Sequence, residues 1–201
     1  LETQGLIGLC FYDTGPRSFY TSKKPIRNVA DLKDMSVRVQ SSDILSPLLQ
    51  SVGARPKPIP FGRVYDSLRS GAVDAAEFDF QTYEHARHHE VAKFYSVTEH
   101  TMAPSVLVFS KKIWDRLPAE DRLIIAAAAR ESVPYFRSLR DEYEPMVRKA
   151  VEAAGAEIIT DVDRASFSDA LVPAYARFVR DPKLRDMIKR IQATDSLRIM
   201  R

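Results

Sequence analysis

The sequence predicts an α/β fold in which a mostly parallel sheet is flanked by helices and followed by a long helix. Short apolar runs typical of buried strands alternate with helical segments through the first half of the chain. From Pro118 to about Ala154 nearly every residue favours helix. With 45% hydrophobic residues among 201, the chain can bury a real core. Parallel neighbouring strands need a crossover, and the intervening helices supply it.

The first half reads as strands separated by helices and turns. Glycines and prolines end or connect these elements, and short polar residues cap them. The predicted strands are residues 5–13, 17–21, 37–39 and 72–76. The predicted connections are a helical turn over 29–33, a helix that Ser42 or Asp43 caps and Gly53 ends, an extended connector over 56–60 and a helix from Phe61 to Gly71.

The second half is mainly helical. A strand over 105–110 and a short helix over 111–117 precede the long helix, which Pro134 and Pro145 should kink or divide because proline removes a backbone donor. A brief strand over 157–159 and helices over about 164–180 and 182–192 complete the chain.

Composition excludes several classes of function. The net charge of +3 arises from 30 basic and 27 acidic residues without a run of like charges, so nucleic acid is not a predicted partner. No stretch is apolar enough to span a bilayer, and one cysteine cannot form an intrachain disulfide. Neither a nucleophile elbow nor a glycine-rich phosphate loop is present, so we predict no catalytic residues and no cofactor.

Two arginines are the strongest functional signal. Arg17 and Arg38 lie in or beside predicted strands, and a guanidinium cannot lose its charge there. A carboxylate ligand would satisfy such a group with two parallel hydrogen bonds, whereas the alternative is an internal ion pair with Asp13 or Asp31. Arg38 and Glu77 both fall near strand ends, where ligands of parallel sheets bind.

A histidine cluster offers a different interpretation. His85 and His89 are one helical turn apart if this segment is a helix, with His88 and Glu90 beside them. This pattern allows a metal site, and with it a metal-dependent enzyme acting on small anionic metabolites. We favour a solvated helix face, because the pattern is not His-Glu-x-x-His and no third ligand is evident.

A series of short phrases extends over most of residues 5–150. They are Lys24–Ile26, Ala30–Lys33, Met35–Val39, Gly53–Ala54 with Pro56, Pro58 and Phe61, Val64–Tyr65 with Leu68, Gly71–Glu77, Val91–Tyr95, Thr98–His100 and Leu117–Pro118. Their order and spacing resemble the solute receptors of tripartite ATP-independent periplasmic (TRAP) transporters, the DctP-like family.

The resemblance implies a periplasmic-binding-protein-like fold of two α/β lobes joined by crossing strands and a long helix. Residues 1–103 would form most of the second lobe. Residues 104–143 would contribute a strand and the long helix to the first lobe and hinge, and 144–201 would return to the second lobe. The chain would then lack much of its N-terminal lobe, and apolar surface exposed there would favour self-association.

The resemblance also implies roles for individual residues. Arg38 corresponds to the principal carboxylate clamp and Arg17 to an assisting arginine, while Phe61 would line the pocket. Glu77 would bond a ligand hydroxyl or hold Arg38 in place, and we favour the second role. Many relatives carry Asn where this chain has Phe78, and a phenyl ring cannot donate a hydrogen bond. Near the same strands, Gln40 is a further candidate ligand-binding residue.

The implied function is capture of a small carboxylate, such as a dicarboxylate, keto acid or sugar acid, in the periplasm. The protein would deliver it to the membrane subunits of a TRAP transporter, with no enzymatic step, cofactor or metal. Two alternatives stay open: the metal-dependent enzyme, and an isolated lobe fragment that binds nothing.

Overall fold

The computed structural model describes residues 1–41 and 44–198, without the side chains of 172–178, 192 and 194–198. Its strands are β1 (Leu6–Tyr12), β2 (Pro16–Thr21), β3 (Ser36–Val39), β4 (Arg55–Pro58), β5 (Ala75–Phe78), β6 (Phe94–Met102), β7 (Ser105–Ser110) and β8 (Glu157–Ile159). Its α-helices are α1 (Leu45–Ser51), α2 (Val64–Arg69), α3 (Phe80–His85), α4 (Lys111–Trp114), α5 (Ala119–Ala153), α6 (Arg164–Phe178) and α7 (Pro182–Arg198). Short 3-10 turns occur at Glu2–Gln4, Val29–Leu32, Phe61–Arg63 and His88–Glu90.

The main sheet has six strands in the order β4-β3-β5-β2-β6-β8. The pairs β3–β4, β3–β5 and β6–β8 are parallel, which confirms the predicted α/β fold with a mostly parallel sheet. β2 is the exception, because it runs antiparallel to both of its neighbours, β5 and β6. A separate antiparallel pair is formed by β1 and β7.

Two predicted segments need correction, and one strand was missed. The predicted connector over 56–60 overlaps β4 at 56–58, which is possible because an edge strand pairs on one side only and tolerates prolines. The strand predicted over 72–76 is β5 at 75–78, since its pairing with β2 begins at Thr21↔Ala75. β6 was not predicted, although it is the longest strand in the described chain. The proposed caps Ser42 and Asp43 lie outside the described residues.

The long helix is confirmed as one continuous helix of 35 residues. Pro134 and Pro145 lie within it and do not divide it. The residues four positions earlier, Arg130 and Asp141, are exposed, so water can satisfy the carbonyls that each proline leaves without a donor. Among the described helices, none is long and apolar enough to span a membrane.

Two apolar cores lie against the two faces of the six-stranded sheet. One includes Leu49 of α1 and Phe167 of α6, together with Val37 and Val39 of β3. The other core contains side chains of α2, α3 and α5, which pack on strands β2 and β5. Side chains alternate between the faces of a strand, so Arg38 points to the face opposite Val37 and Val39.

α5 connects the two sheets. Near its middle, Ser132 Oγ is 2.7 Å from the hydroxyl of Tyr12 at the end of β1. Arg140 then forms an ion pair with Asp13 at 2.9 Å and donates a hydrogen bond to its carbonyl. Further along, Val147 and Val151 are buried in the core of the six-stranded sheet.

We expect Asp74→Asn to lower the free energy of unfolding by about 1–2 kcal/mol at pH 7. Asp74 accepts hydrogen bonds from the hydroxyl and amide of Ser36 and from Lys23, and these lower its pKa to about 2. The carboxylate stabilises the fold above its unfolded pKa, so the loss should be equal at pH 7 and pH 5 in urea unfolding. Asp66→Asn, in an exposed pair with Arg69, is the control and should change little.

Candidate functional site

The candidate site lies at the edge of the sheet where the parallel strands end. Arg38 is the third residue of the four-residue β3, and Glu77 and Phe78 are the last two residues of β5. Because β2 runs antiparallel to β5, it is the beginning of β2, including its second residue Arg17, that lies at this same edge. The fold therefore brings together four of the six predicted site residues from three different strands.

Arg38 is a buried cation that has no acidic partner in the described part of the chain. The residue is 2% exposed, and its Nε donates a hydrogen bond to the carbonyl of Ile59 at 2.8 Å. Its Nη1 is buried, and no described residue accepts a hydrogen bond from it. Among the described residues, no carboxylate lies within ion-pair distance of Arg38. Burial lowers the pKa of its guanidinium, although Tyr20 and Glu77 oppose that effect. A ligand carboxylate would satisfy this group.

Arg17 already has an internal partner. Its Nε and Nη2 donate to the two carboxylate oxygens of Glu77 at 2.6 and 2.8 Å, and Nη2 also reaches the Glu77 carbonyl at 3.0 Å. Burial opposes the charge of Arg17, but the hydrogen bonds that Arg17 donates to Glu77 and the charge of that carboxylate outweigh it, so the pKa of Arg17 is raised. Asp13 and Asp31 were the wrong candidates for this pair. Asp13 pairs with Arg140, and Asp31 caps the 3-10 turn that follows Asn28.

Glu77 therefore supports Arg17 by direct hydrogen bonds, and not Arg38 as the sequence led us to expect. Its side chain is 3% exposed, and a carboxylate so deeply buried needs a cation. A contact of Glu77 with a ligand hydroxyl stays a prediction, as does a contact of Arg17 with a ligand carboxylate.

Aromatic rings form the wall beside the arginines. The guanidinium carbons of Arg17 and Arg38 lie 4.5 and 5.0 Å from the ring centre of Phe78, within cation–π range. Phe61 meets Phe78 edge-on at 5.4 Å and is 52% exposed, so it is not an ordinary core residue. Arg38, Phe61 and Phe78 line one open cavity of about 490 Å³, together with Gln40, Ser41 and the segment Pro58–Pro60.

The histidine segment differs from its prediction. α3 ends at His85, and Arg87 has a left-handed backbone with a φ of 59°, so His85 and His89 do not share a helix face. His88 is 2% exposed, and its Nδ1 is 2.7 Å from the hydroxyl of Tyr20. The predicted solvated face is therefore wrong for His88. Burial, then the charge of Arg38, lowers the pKa of this imidazole to about 4.

The family can be assigned from comparison with known proteins. The model of the DctP family, described as bacterial extracellular solute-binding protein, family 7, matches residues 1–181. The chain belongs to this family. The predicted membership of the DctP-like solute receptors is thereby confirmed. The family model covers α1–α6 and every strand of the described chain.

Individual relatives agree with this assignment. The 2,3-diketo-L-gulonate-binding periplasmic protein of Escherichia coli is 34% identical over 193 residues, which are 95% of this chain and 59% of the relative. A TRAP periplasmic solute-binding protein of Bradyrhizobium sp. BTAi1, solved with α/β-D-galacturonate, superposes with a TM-score of 0.89 at 50% identity. Its counterpart from Xanthobacter autotrophicus Py2, solved with β-D-galacturonate, gives a TM-score of 0.89 at 46% identity.

Both superpositions cover 96% of this chain but only 64% of the other. Likewise, this chain spans 59% of the length of two curated relatives that it matches.

Proposed function

We propose that this chain binds a small organic acid in the open cavity at the edge of its six-stranded sheet, on the face of the sheet that packs against α5. The observation that supports this most directly is Arg38, a buried guanidinium at the wall of an open cavity, whose Nη1 has no partner among the residues that the structure describes. A buried cation without a partner is unfavourable, so its retention is best explained by an anionic ligand. The planar guanidinium suits a carboxylate.

The preferred ligand class is a sugar acid. Galacturonate is the ligand of two solved relatives, which are 50% and 46% identical to this chain. In this chain, Arg38 would pair with the carboxylate, while Phe61 and Phe78 would pack against the apolar face of the sugar ring. The side-chain amide of Gln40, which lines the same cavity, would form a hydrogen bond with a hydroxyl group of the sugar acid.

The proposed mechanism is closure about a hinge. Three segments connect the two-stranded and six-stranded sheets: residues 13–15, residues 103–104 and helix α5. Most of one lobe would be formed by residues 1–103 and 144–201. The other lobe and the hinge would contain residues 104–143, and β1 would pair with β7 on the small sheet. Ligand contacts made only in the closed form would shift the population toward it.

The proposed setting is the periplasm, where the closed, loaded protein would dock on the membrane subunits of a TRAP transporter. The family description is extracellular, and the named relatives are periplasmic. Ligand release to those subunits would require no covalent chemistry, and hence no cofactor.

Calorimetry of this chain with D-galacturonate, D-glucuronate, pyruvate and succinate tests the proposal. We expect saturable heat with at least one sugar acid, and native mass spectrometry should show the same complex and its assembly state. Absence of heat with all four acids would contradict the proposal and favour a fragment without binding activity. Chelator-sensitive consumption of any acid, followed by NMR, would instead favour the metal-dependent enzyme.

A further inference from the structure

The ion pair between Arg17 and Glu77 lies beside Arg38, which has no acidic partner in residues 1–41 and 44–198. The two guanidiniums share one aromatic neighbour, Phe78, at 4.5 and 5.0 Å. Glu77 engages two nitrogens of Arg17 with both of its carboxylate oxygens. This bidentate geometry leaves Glu77 no free carboxylate oxygen with which to pair Arg38 in the same way.

The other titratable groups around this pair do not add positive charge. His100 Nε2 is 4.0 Å from Glu77 Oε2, but burial and the charge of Arg17 lower the pKa of this histidine to about 3. The imidazole is therefore neutral near pH 7. Asp79 uses its two carboxylate oxygens to accept hydrogen bonds from the backbone and hydroxyl of Thr82, each at 2.8 Å. Its negative charge favours the ionised form of Arg17.

The described groups thus present two guanidiniums, of which one is neutralised by a buried carboxylate. We infer that Glu77 is a specificity-determining residue: it neutralises the charge of Arg17 and thereby restricts the site to ligands with a single carboxylate. This inference rests on the proposed function, since it concerns the ligands of that same site. It replaces the expected second cationic contact by a neutral pair and narrows the ligand class to monocarboxylates.

The physical reason is the balance of buried charge. One ligand carboxylate would pair with Arg38 and leave the closed site without excess charge. A second carboxylate would lose its hydration without gaining a free cation, and at the Arg17 end it would approach the negative charge of Glu77. Unpaired or like charges in a desolvated interface are strongly unfavourable. A dicarboxylate should therefore bind more weakly than a monocarboxylate of the same length.

The wild-type chain can test this without any substitution. Succinate and monomethyl succinate have the same carbon backbone but differ by one negative charge. We expect calorimetry at pH 7.5 to give a dissociation constant for the monoester lower by on the order of tenfold. Equal or tighter binding of succinate would overturn the inference.

Glu77→Gln tests the assigned residue, because the amide keeps the size of the side chain and removes its charge. We expect the ratio of succinate to monoester affinity to rise by on the order of tenfold, since Arg17 is then free to pair. The double variant Arg17→Gln with Glu77→Gln should reverse this gain. Glu90→Gln is the matched control, because Glu90 pairs with Arg87 on the surface and should leave the ratio unchanged.

Failure of the inference and failure of the proposed function give different results. Suppose that wild type binds galacturonate, but that the ratio of succinate affinity to monoester affinity is the same in wild type and Glu77→Gln. The proposed function is then supported, and the proposed role of Glu77 is contradicted. If wild type binds no acid at all, the proposed function fails and the inference fails with it. Should Glu77→Gln not fold, the comparison of succinate with its monoester in wild type still decides the preference for one charge.

Discussion

Arg38→Met is expected to weaken binding of a sugar acid by about 30-fold or more, because loss of a buried charge partner costs roughly 2–5 kcal/mol. Arg38 is 2% exposed, and no acid among the described residues pairs with it, so a ligand carboxylate would depend on this one side chain. Methionine fills much of the same volume without the charge. Calorimetry with D-galacturonate, or competition against a bound acid, measures the loss.

The same substitution separates a ligand clamp from a structural arginine. A guanidinium that holds the fold together would destabilise the protein when removed. Within the described residues, Nη1 of Arg38 has no partner, and Nε bonds to the Ile59 carbonyl. We therefore expect the free energy of unfolding of Arg38→Met, measured in urea, to equal or exceed that of wild type. Arg69→Gln, an exposed arginine paired with Asp66, is the control and should change affinity less than threefold or so. Unchanged galacturonate affinity together with lower stability in Arg38→Met would contradict the clamp.

The location of the site could be predicted from the sequence because it follows from strand order. Val37, Arg38 and Val39 form a short apolar run with one charge, and ligand sites of parallel sheets occur at the ends of such strands. The pairing of Arg17 with Glu77 could not be predicted in the same way. It depends on β2 running antiparallel beside β5, a contact between residues separated by 60 positions. Hydrophobic periodicity contains no information on that direction.

The role of His88 was hidden for a related reason. A helical reading of residues 85–90 exposes the histidines, but the positive φ at Arg87 ends the helix and turns His88 inward. Only Asn, Asp and Gly commonly adopt that conformation, so an arginine there gives no signal in the sequence. Likewise, the carbonyl of Ile59 that holds Arg38 is a backbone group, which no residue type reveals. The burial of His88 and the hydrogen bond from Arg38 to Ile59 depend on tertiary contacts, whereas local sequence patterns were enough to predict most helices and strands in their order.

Two neutral histidines near the candidate site should make the fold sensitive to acid. His88 bonds to Tyr20, while His100 stacks on Phe19 at 4.0 Å and lies 2.8 Å from the hydroxyl of Thr98. Burial is the main cause that lowers the pKa of His88 to about 4 and that of His100 to about 3, from 6.5. Below pH 6.5 the unfolded chain therefore binds protons that the native chain does not, so stability must fall as the pH falls.

We expect the free energy of unfolding to decrease between pH 6.5 and 4.5 by up to about 1.4 kcal/mol per pH unit for each of the two histidines. Urea unfolding across this range measures the slope. The carboxylate of Asp74 adds to the pH dependence mainly below its unfolded pKa of 3.8, which folding lowers to about 2. His88→Gln and His100→Gln should each remove about half of the slope. His85→Gln, with an exposed side chain at the end of α3, is the matched control. A slope that persists in the double variant of His88 and His100 would place the acid sensitivity elsewhere, because neither position could then take up a proton.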